Sequence, residues 1–144
     1  MNSRSRAPKG VDELKTLMAI HLSELGFSRI GDRGTRLDPG YFGMEFLFAW
    51  PAKHWRFDAA LRTERTYDDR GYGFDKHIAI EAEGLVRSGR GGHQTVKGFT
   101  ANCEKYNEAI LQGWMLLRFP VSQIRDGSYL KTVKRAIGGS HDAR

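Results

Sequence analysis

The 144-residue chain has one cysteine, Cys103, and only four prolines. A single cysteine cannot form a disulfide within the chain or build a zinc site from several thiolates. No apolar run approaches the roughly 20 residues that a membrane-spanning helix needs. The N-terminal segment is basic but has no apolar stretch directly behind it, so we expect no secretory signal. These absences predict a soluble, cytoplasmic protein without a membrane partner.

Acidic residues are fewer than basic ones, since 17 Asp and Glu stand against 23 Lys and Arg, which gives a net charge of +6. Lysine and arginine side chains that neutralise phosphates gain affinity because they release counterions. Nucleic acid is therefore the first candidate partner, although many small proteins are basic without binding it.

The length suits one domain, which we expect over residues 11–144 behind a basic flexible tail of residues 1–10. Apolar residues recur at helical spacing from Val11 to Leu25, and Gly26 ends the run, which predicts a first helix. Residues 44–50 and 55–61 are predicted to form two strands of an antiparallel hairpin.

The stretch from Lys76 to Glu83 alternates apolar and polar residues, which predicts a strand. Ile78, Ile80 and Ala82 should share one face, and His77, Ala79, Glu81 and Glu83 the other. Two carboxylates on one face repel each other unless a cation lies between them. A cation at the end of this strand is therefore expected.

Asp58 lies inside the second predicted strand, where aspartate is disfavoured. Either a functional role or a solvent-facing position accounts for it. Trp55, Phe57 and Ala59 are predicted to face one way, and Arg56, Asp58 and Ala60 the other.

After the Lys76–Glu83 strand, residues 84–98 contain five glycines together with Arg87, Arg90, His93 and Lys97. Backbone freedom and positive charge suit a loop that closes over phosphates, and an ordinary surface loop is the alternative. His93 could donate a proton or contact a phosphate, or it could simply be solvated.

The C-terminal third is predicted to form a helix, a strand and a last helix. Over residues 100–112 an apolar stripe of Cys103, Tyr106 and Ile110 predicts a helix that Thr100 caps. Lys105 lies off that stripe, and it either is exposed or reaches back to the strand carboxylates. Residues 114–119 predict an apolar, central strand, and residues 121–137 a last helix.

These segments together resemble the PD-(D/E)XK nuclease superfamily. The resemblance rests on Trp55-Arg-Phe-Asp58, on Ile78-Ala-Ile-Glu-Ala-Glu-Gly84, on the glycine-rich loop with His93, and on Cys103-Glu-Lys-Tyr-Asn-Glu-Ala-Ile110 followed by Gly113-Trp and Leu117-Arg-Phe119. Over about residues 44–119 the chain looks like the small endonuclease-like proteins of bacteriophages and bacteria that are related to very-short-patch-repair and Holliday-junction-resolvase-like nucleases. The resemblance implies an α/β fold with a restriction-endonuclease-like core (α-β-β-β-α-β), a mixed central sheet flanked by helices, and a further C-terminal helix.

The resemblance also implies a Mg²⁺-dependent deoxyribonuclease, with Mn²⁺ as a substitute ion, that hydrolyses phosphodiester bonds in DNA. Structure-specific cutting of branched, mismatched or nicked DNA is left open. Asp58 and Glu81 would be its metal-binding acids. The lysine expected two residues after Glu81 is Glu83 instead. Either Glu83 serves as a third metal ligand or general base while Lys105 or His93 supplies the positive charge, or the site is degenerate and the protein only binds nucleic acid.

Five basic residues are expected to contact the DNA backbone: Arg56, Arg87, Arg90, Lys97 and Lys105. A homodimer is left open, because junction-cutting relatives act as dimers on two symmetric strands. A phage-encoded protein would act in the cytoplasm of its bacterial host.

Overall fold

The computed structural model describes residues 9–84 and 96–138. In these residues the chain is a mixed α/β fold with a five-stranded mixed central sheet and several helices, one of them C-terminal, as the sequence predicted. The elements are, in order, α1 (Lys9–Glu24), β1 (Ser28–Arg29), β2 (Tyr41–Phe46), β3 (Phe57–Arg62), β4 (Thr66–Tyr67), β5 (Gly73–Phe74), β6 (His77–Glu83), α2 (Val96–Leu111), β7 (Trp114–Pro120), α3 (Val121–Arg125) and α4 (Tyr129–Gly138).

Helix α1 confirms the predicted first helix. Leu14, Met18 and Leu22 are buried at helical spacing, and Gly26 follows the helix with a φ of +99°, a backbone conformation that suits glycine at a helix end. The helix begins at Lys9, so it includes the last two residues assigned to the tail, and residues 1–8 lie outside the described part.

The central sheet has the strand order β1-β2-β3-β6-β7. Strand β3 pairs antiparallel with β2 on one side and with β6 on the other. Strands β6 and β7 are parallel, and α2 forms the crossover that connects them. The prediction that the last strand is central is wrong, because β7 is at the edge of the sheet among the described strands. Its apolar sequence reflects the packing of Phe119 and Trp114 into the two cores and not its place in the strand order.

The predicted hairpin of β2 and β3 is confirmed, but β2 is Tyr41–Phe46 and not residues 44–50. The strand ends early because Glu45 has a φ of +51° and the chain turns after Phe46, where the backbone N–H of Lys53 donates to the carbonyl of Ala49. The loop predicted between β3 and β6 carries a small antiparallel hairpin of β4 and β5.

The sheet has a separate core on each face. One core, under α1, α3 and α4, contains Ile78 and Ile80; the other contains Ala79 of β6 and Ala109 of α2. The predicted faces of β6 are thus confirmed. The predicted faces of β3 are wrong, because Ala59 lies in the first core whereas Phe57 and Ala60 both lie in the second. The alternation is interrupted after Phe57, before regular pairing with β6 begins at Ala59.

Helix α2 begins at Val96, so Lys97 is helical and Thr100 does not cap the start; its hydroxyl donates to the carbonyl of Val96 within the helix. The predicted apolar stripe is not the buried face. Cys103 is exposed, and Ala109 is the buried residue because a small side chain lets the helix lie close to the sheet.

The predicted last helix is two helices, α3 and α4. The chain breaks between them at Gly127, which has a φ of +79° and whose N–H donates to the carbonyl of Ile124. In the described part of the chain no helix is both long and apolar enough to cross a membrane.

Candidate active site

Two acidic side chains meet where β3 begins and β6 ends. Ala59 pairs with Ile80, and Asp58 and Glu81 are the next residues along the two antiparallel strands. The two acids are close enough for the charge of Asp58 to raise the pKa of Glu81. The Asp58 carboxylate accepts a hydrogen bond from the backbone N–H of Ala82, with 2.8 Å between Oδ2 and N. This bond fixes the half-buried Asp58 side chain to β6 at the position where the pairing of β3 with β6 ends. Asp58 is the second residue of β3, so the aspartate that is disfavoured within a strand lies near the start of this one.

Glu81 is a buried carboxyl group, with only 7% of the residue exposed. Burial raises the pKa of Glu81 to about 7, and the negative charge of Asp58 raises this pKa further, whereas the Lys105 ammonium lowers it without outweighing the burial. The carboxyl group therefore changes from its neutral to its ionised form near neutral pH. Such a perturbed acid beside a second acid is typical of functional sites.

Lys105 projects from α2 toward the sheet. Its Nζ lies 3.1 Å from Oε1 of Glu81, and both side chains are largely buried. Of the two alternatives for Lys105, exposure or contact with the strand carboxylates, the structure confirms contact. Lys105 of the helix thus lies next to Glu81, although the residue two positions after Glu81 is Glu83 and not a lysine.

Glu83 lies on the same face as Glu81 but is bound by other partners. Its Oε1 accepts a hydrogen bond from Nε of Arg118 at 2.7 Å and one from the hydroxyl of Tyr106 at 3.3 Å. The Arg118 guanidinium lies 4.5 Å from the centroid of the Tyr106 ring. The role of Glu83 as a third metal ligand stays a prediction, since its carboxylate is held here by β7 and α2.

Sequence reasoning missed Arg118 and Tyr106 as members of this cluster. Arg118 is a charged residue within an apolar strand, and by alternation it shares a face with Trp114 and Leu116, the face that α2 covers. A charge on a buried strand face was the signal that could have identified it. Burial raises the pKa of the Tyr106 phenol to about 12, and the nearby acids Glu81 and Glu83 act in the same direction. Tyr106 therefore serves as a neutral hydrogen-bond donor.

Of the remaining residues that the sequence suggested for the site, the structure describes Arg56, Lys97 and His77. Arg56 is half-buried and precedes β3, two residues before Asp58, and Lys97 is exposed in the first turn of α2. Arg87, Arg90 and His93 lie outside the described residues. His77 starts β6 at the far end from the carboxylates, where its ring packs edge-on against Trp114 with 5.2 Å between centroids.

The donor set of this site can be compared with the needs of a metal ion. Among residues 9–84 and 96–138 no three His, Cys, Asp or Glu side chains are grouped so as to hold a metal. Mg²⁺ takes oxygen ligands, keeps several waters, and is commonly bound by one or two carboxylates together with substrate phosphates. Asp58 and Glu81 are two hard carboxylates on one face, which fits that mode of binding.

A cavity of about 540 Å³ lies at the opposite end of the sheet, lined among others by Leu25, Phe27, Thr63, Lys76 and Ile137. Neither Asp58 nor Glu81 lines it. The two carboxylates are therefore not in this cavity. We place the candidate site at the carboxylates, because their chemistry and not the cavity indicates a function.

Comparisons with known proteins identify no relative. A scan against protein-family models, a search of curated proteins and a search of solved structures each give no match for this chain.

Proposed function

We propose that the chain is a metal-dependent endonuclease that hydrolyses phosphodiester bonds in DNA. The observation that carries the proposal is the grouping of Asp58, Glu81 and Lys105 on one face of the sheet, with Lys105 Nζ 3.1 Å from Glu81. The order α1, β2, β3, β6, α2, β7 supports a restriction-endonuclease-like core of the type α-β-β-β-α-β, with β1 and the β4–β5 hairpin as additions.

In this proposal Asp58 and Glu81 hold Mg²⁺, or Mn²⁺ in its place. The bound ion would polarise the scissile phosphate and make a bound water more acidic. Asp58 is oriented for this by the Ala82 N–H, and Glu81 must give up its proton to act as a ligand. Lys105 presents its ammonium where a phosphate oxygen would lie beside Glu81, and so takes the part of the lysine that Glu83 replaces in the sequence.

The proposed substrate is DNA, and the cleavage panel decides whether a branch, mismatch or nick is required. A net charge of +6 favours a polyanion, and Arg56, Lys97 and Lys105 would contact the DNA backbone, Lys105 next to Glu81. Each phosphate contact of this type should add to the salt dependence of binding.

The test is a cleavage panel on linear, nicked, mismatched and branched DNA with Mg²⁺ or Mn²⁺. We expect the wild-type protein to cut at least one of these substrates. Glu81→Ala and Lys105→Met should each slow cleavage by at least about 100-fold, as expected when a transition-state contact is lost. Glu64→Ala is the matched control, because Glu64 is an exposed acid at the opposite end of β3. All substrates intact with both ions, or equal rates for Glu81→Ala and the control, would refute the proposal.

A second candidate is a nucleic-acid-binding module with a degenerate site. It is favoured by the engagement of Glu83 with Arg118 and Tyr106, which leaves two acids at the candidate metal position. In this case the wild-type protein binds DNA without cutting it, and Glu81→Ala leaves the affinity unchanged. A fluorescence-anisotropy titration beside the cleavage panel separates the two functions.

A further inference from the structure

Helix α2 turns an apolar stripe to solvent. The stripe follows the seven-residue spacing that usually faces a partner, and its members are Val96, Phe99, Cys103 and Ile110, with Leu111 beside them. Val96 is 85% exposed, Phe99 and Ile110 are each 60% exposed, and Leu111 is 82% exposed. An exposed apolar surface of this length marks an interaction site.

The stripe overhangs the open edge of the sheet. On α2, Lys105 contacts Glu81 of β6, and Tyr106 contacts Arg118 of the edge strand β7. At 3.6 residues per turn, Phe99, Cys103 and Ile110 lie further around the helix in the same direction, beyond β7. In the described part of the chain no strand pairs with the outer edge of β7.

The stripe and its outer flank carry no charge. Thr100 and Asn107 border it on the solvent side, and both are uncharged and exposed. On the sheet side the neighbouring charge is Arg118, which is paired with Glu83, so two copies can meet on this face without burying an unpaired like charge.

We propose that this stripe is a homodimer interface in which two α2 helices pack antiparallel across a two-fold axis at Cys103. In a two-fold interface the same patch meets itself, so its centre lies on the axis. Position 103 is the midpoint of the stripe, and the pairing places Val96 of one copy against Ile110 of the other. Cys103 then meets its own copy.

The exposed surface is large enough for such a dimer, but only just. Specific interfaces bury at least about 1,000 Å² in total, and four largely exposed apolar side chains and Cys103 from each chain form an interface near this lower limit. A dimer with a dissociation constant in the micromolar range is therefore expected. The inference rests on the surface of α2 and not on the proposed nuclease activity, so either can fail alone.

Sedimentation equilibrium between about 1 and 200 μM protein tests the interface. The wild-type chain should pass from monomer to dimer in this range, and Phe99→Glu and Ile110→Glu should each weaken the dimer by at least about 100-fold, because a charge would be buried without a partner. Both residues are exposed, so the variants should keep the wild-type circular dichroism spectrum. Ile20→Glu is the matched control, since Ile20 is a half-exposed isoleucine on α1, and it should leave the dimer unchanged.

Disulfide formation tests the two-fold axis. With diamide as the oxidant, two Cys103 thiols lose two protons and two electrons to diamide and form one S–S bond, which requires Cα atoms about 4.4–6.8 Å apart. Wild-type protein should give a covalent dimer on a non-reducing gel. The control chain, Cys103→Ser with Ala101→Cys, carries its cysteine on the far side of α2 and should not. A monomer at 200 μM, a dimer that Phe99→Glu leaves intact, or equal cross-linking of the two chains would each overturn the proposal.

Discussion

Replacing Glu81 with glutamine should stabilise the fold increasingly as the pH rises. Glu81 is buried, and its pKa in the folded protein is raised from 4.5 to about 7. The folded state therefore favours the neutral carboxyl group. Its contribution to stability is fully present below about pH 4.5 and is lost as the pH rises through about 7. Glutamine cannot ionise, so the variant does not lose this contribution.

The size of the effect follows from the shift. One pKa unit corresponds to about 1.4 kcal/mol, so ionising Glu81 in the folded state costs about 3 kcal/mol, of which about 2–3 kcal/mol falls between pH 5 and pH 8. The contact with Lys105 is lost in the variant at every pH and adds a constant offset. The difference in unfolding free energy between Glu81→Gln and wild type should thus move by about 2–3 kcal/mol in favour of the variant across this range.

Urea unfolding at several pH values, followed by tryptophan fluorescence in the presence of EDTA, measures this difference. The slope of free energy against urea should stay the same in both proteins. Glu13→Gln is the control, because it removes one carboxylate from the exposed side of α1, far from the site, and its difference from wild type should not follow the same course. A constant difference for Glu81→Gln at all pH values, or a trend in favour of wild type as the pH rises, would show that burial does not control this acid.

Three further predictions concern the site and its supports. Calorimetric titration with Mg²⁺ at pH 7 in buffers of different ionisation enthalpy should show release of about half a proton per ion, because Glu81 must be ionised to bind; no release would exclude it as a ligand. Tyr129→Phe should lower the unfolding free energy by about 1–2 kcal/mol, since the buried hydroxyl lies 2.7 Å from Nδ1 of His21, and an unchanged urea midpoint would contradict this. Asp75→Asn should destabilise the protein by about 1–3 kcal/mol at pH 7, because the Arg62 guanidinium lowers the pKa of Asp75; the loss should shrink as the pH falls below about 4, which acid titration of both proteins measures.

Strand β6 shows what the sequence could predict. Its two faces follow from alternation alone, because a strand has only two faces and Ile78 and Ile80 must share one. The acids on the other face were found in the same way. The partner of Glu81, in contrast, comes from α2, and spacing along the chain does not show which turn of a distant helix meets a strand end.

Helix α2 shows why the rest could not be predicted. Periodicity identified Cys103, Tyr106 and Ile110 as one stripe, and helical geometry does place them together. It does not say which side of a helix is covered, because that depends on what the sheet offers. The sheet offers the buried carboxyl group of Glu81, and the helix therefore turns Lys105 inward together with the small Ala109.

The candidate site and the exposed stripe are two results of one helix orientation. Lys105 and the centre of the stripe lie roughly 150° apart around α2. Turning the helix to bury Cys103 and Ile110 would carry Lys105 away from Glu81 and leave Glu81 and Asp58 as two like charges without the cation that now lowers the pKa of Glu81. The orientation that keeps Lys105 on the carboxylates exposes Phe99 and Ile110, and a second copy of α2 can cover them. A helix whose opposite flank is left apolar and open thus supplies, within the chain itself, the ammonium group beside Glu81.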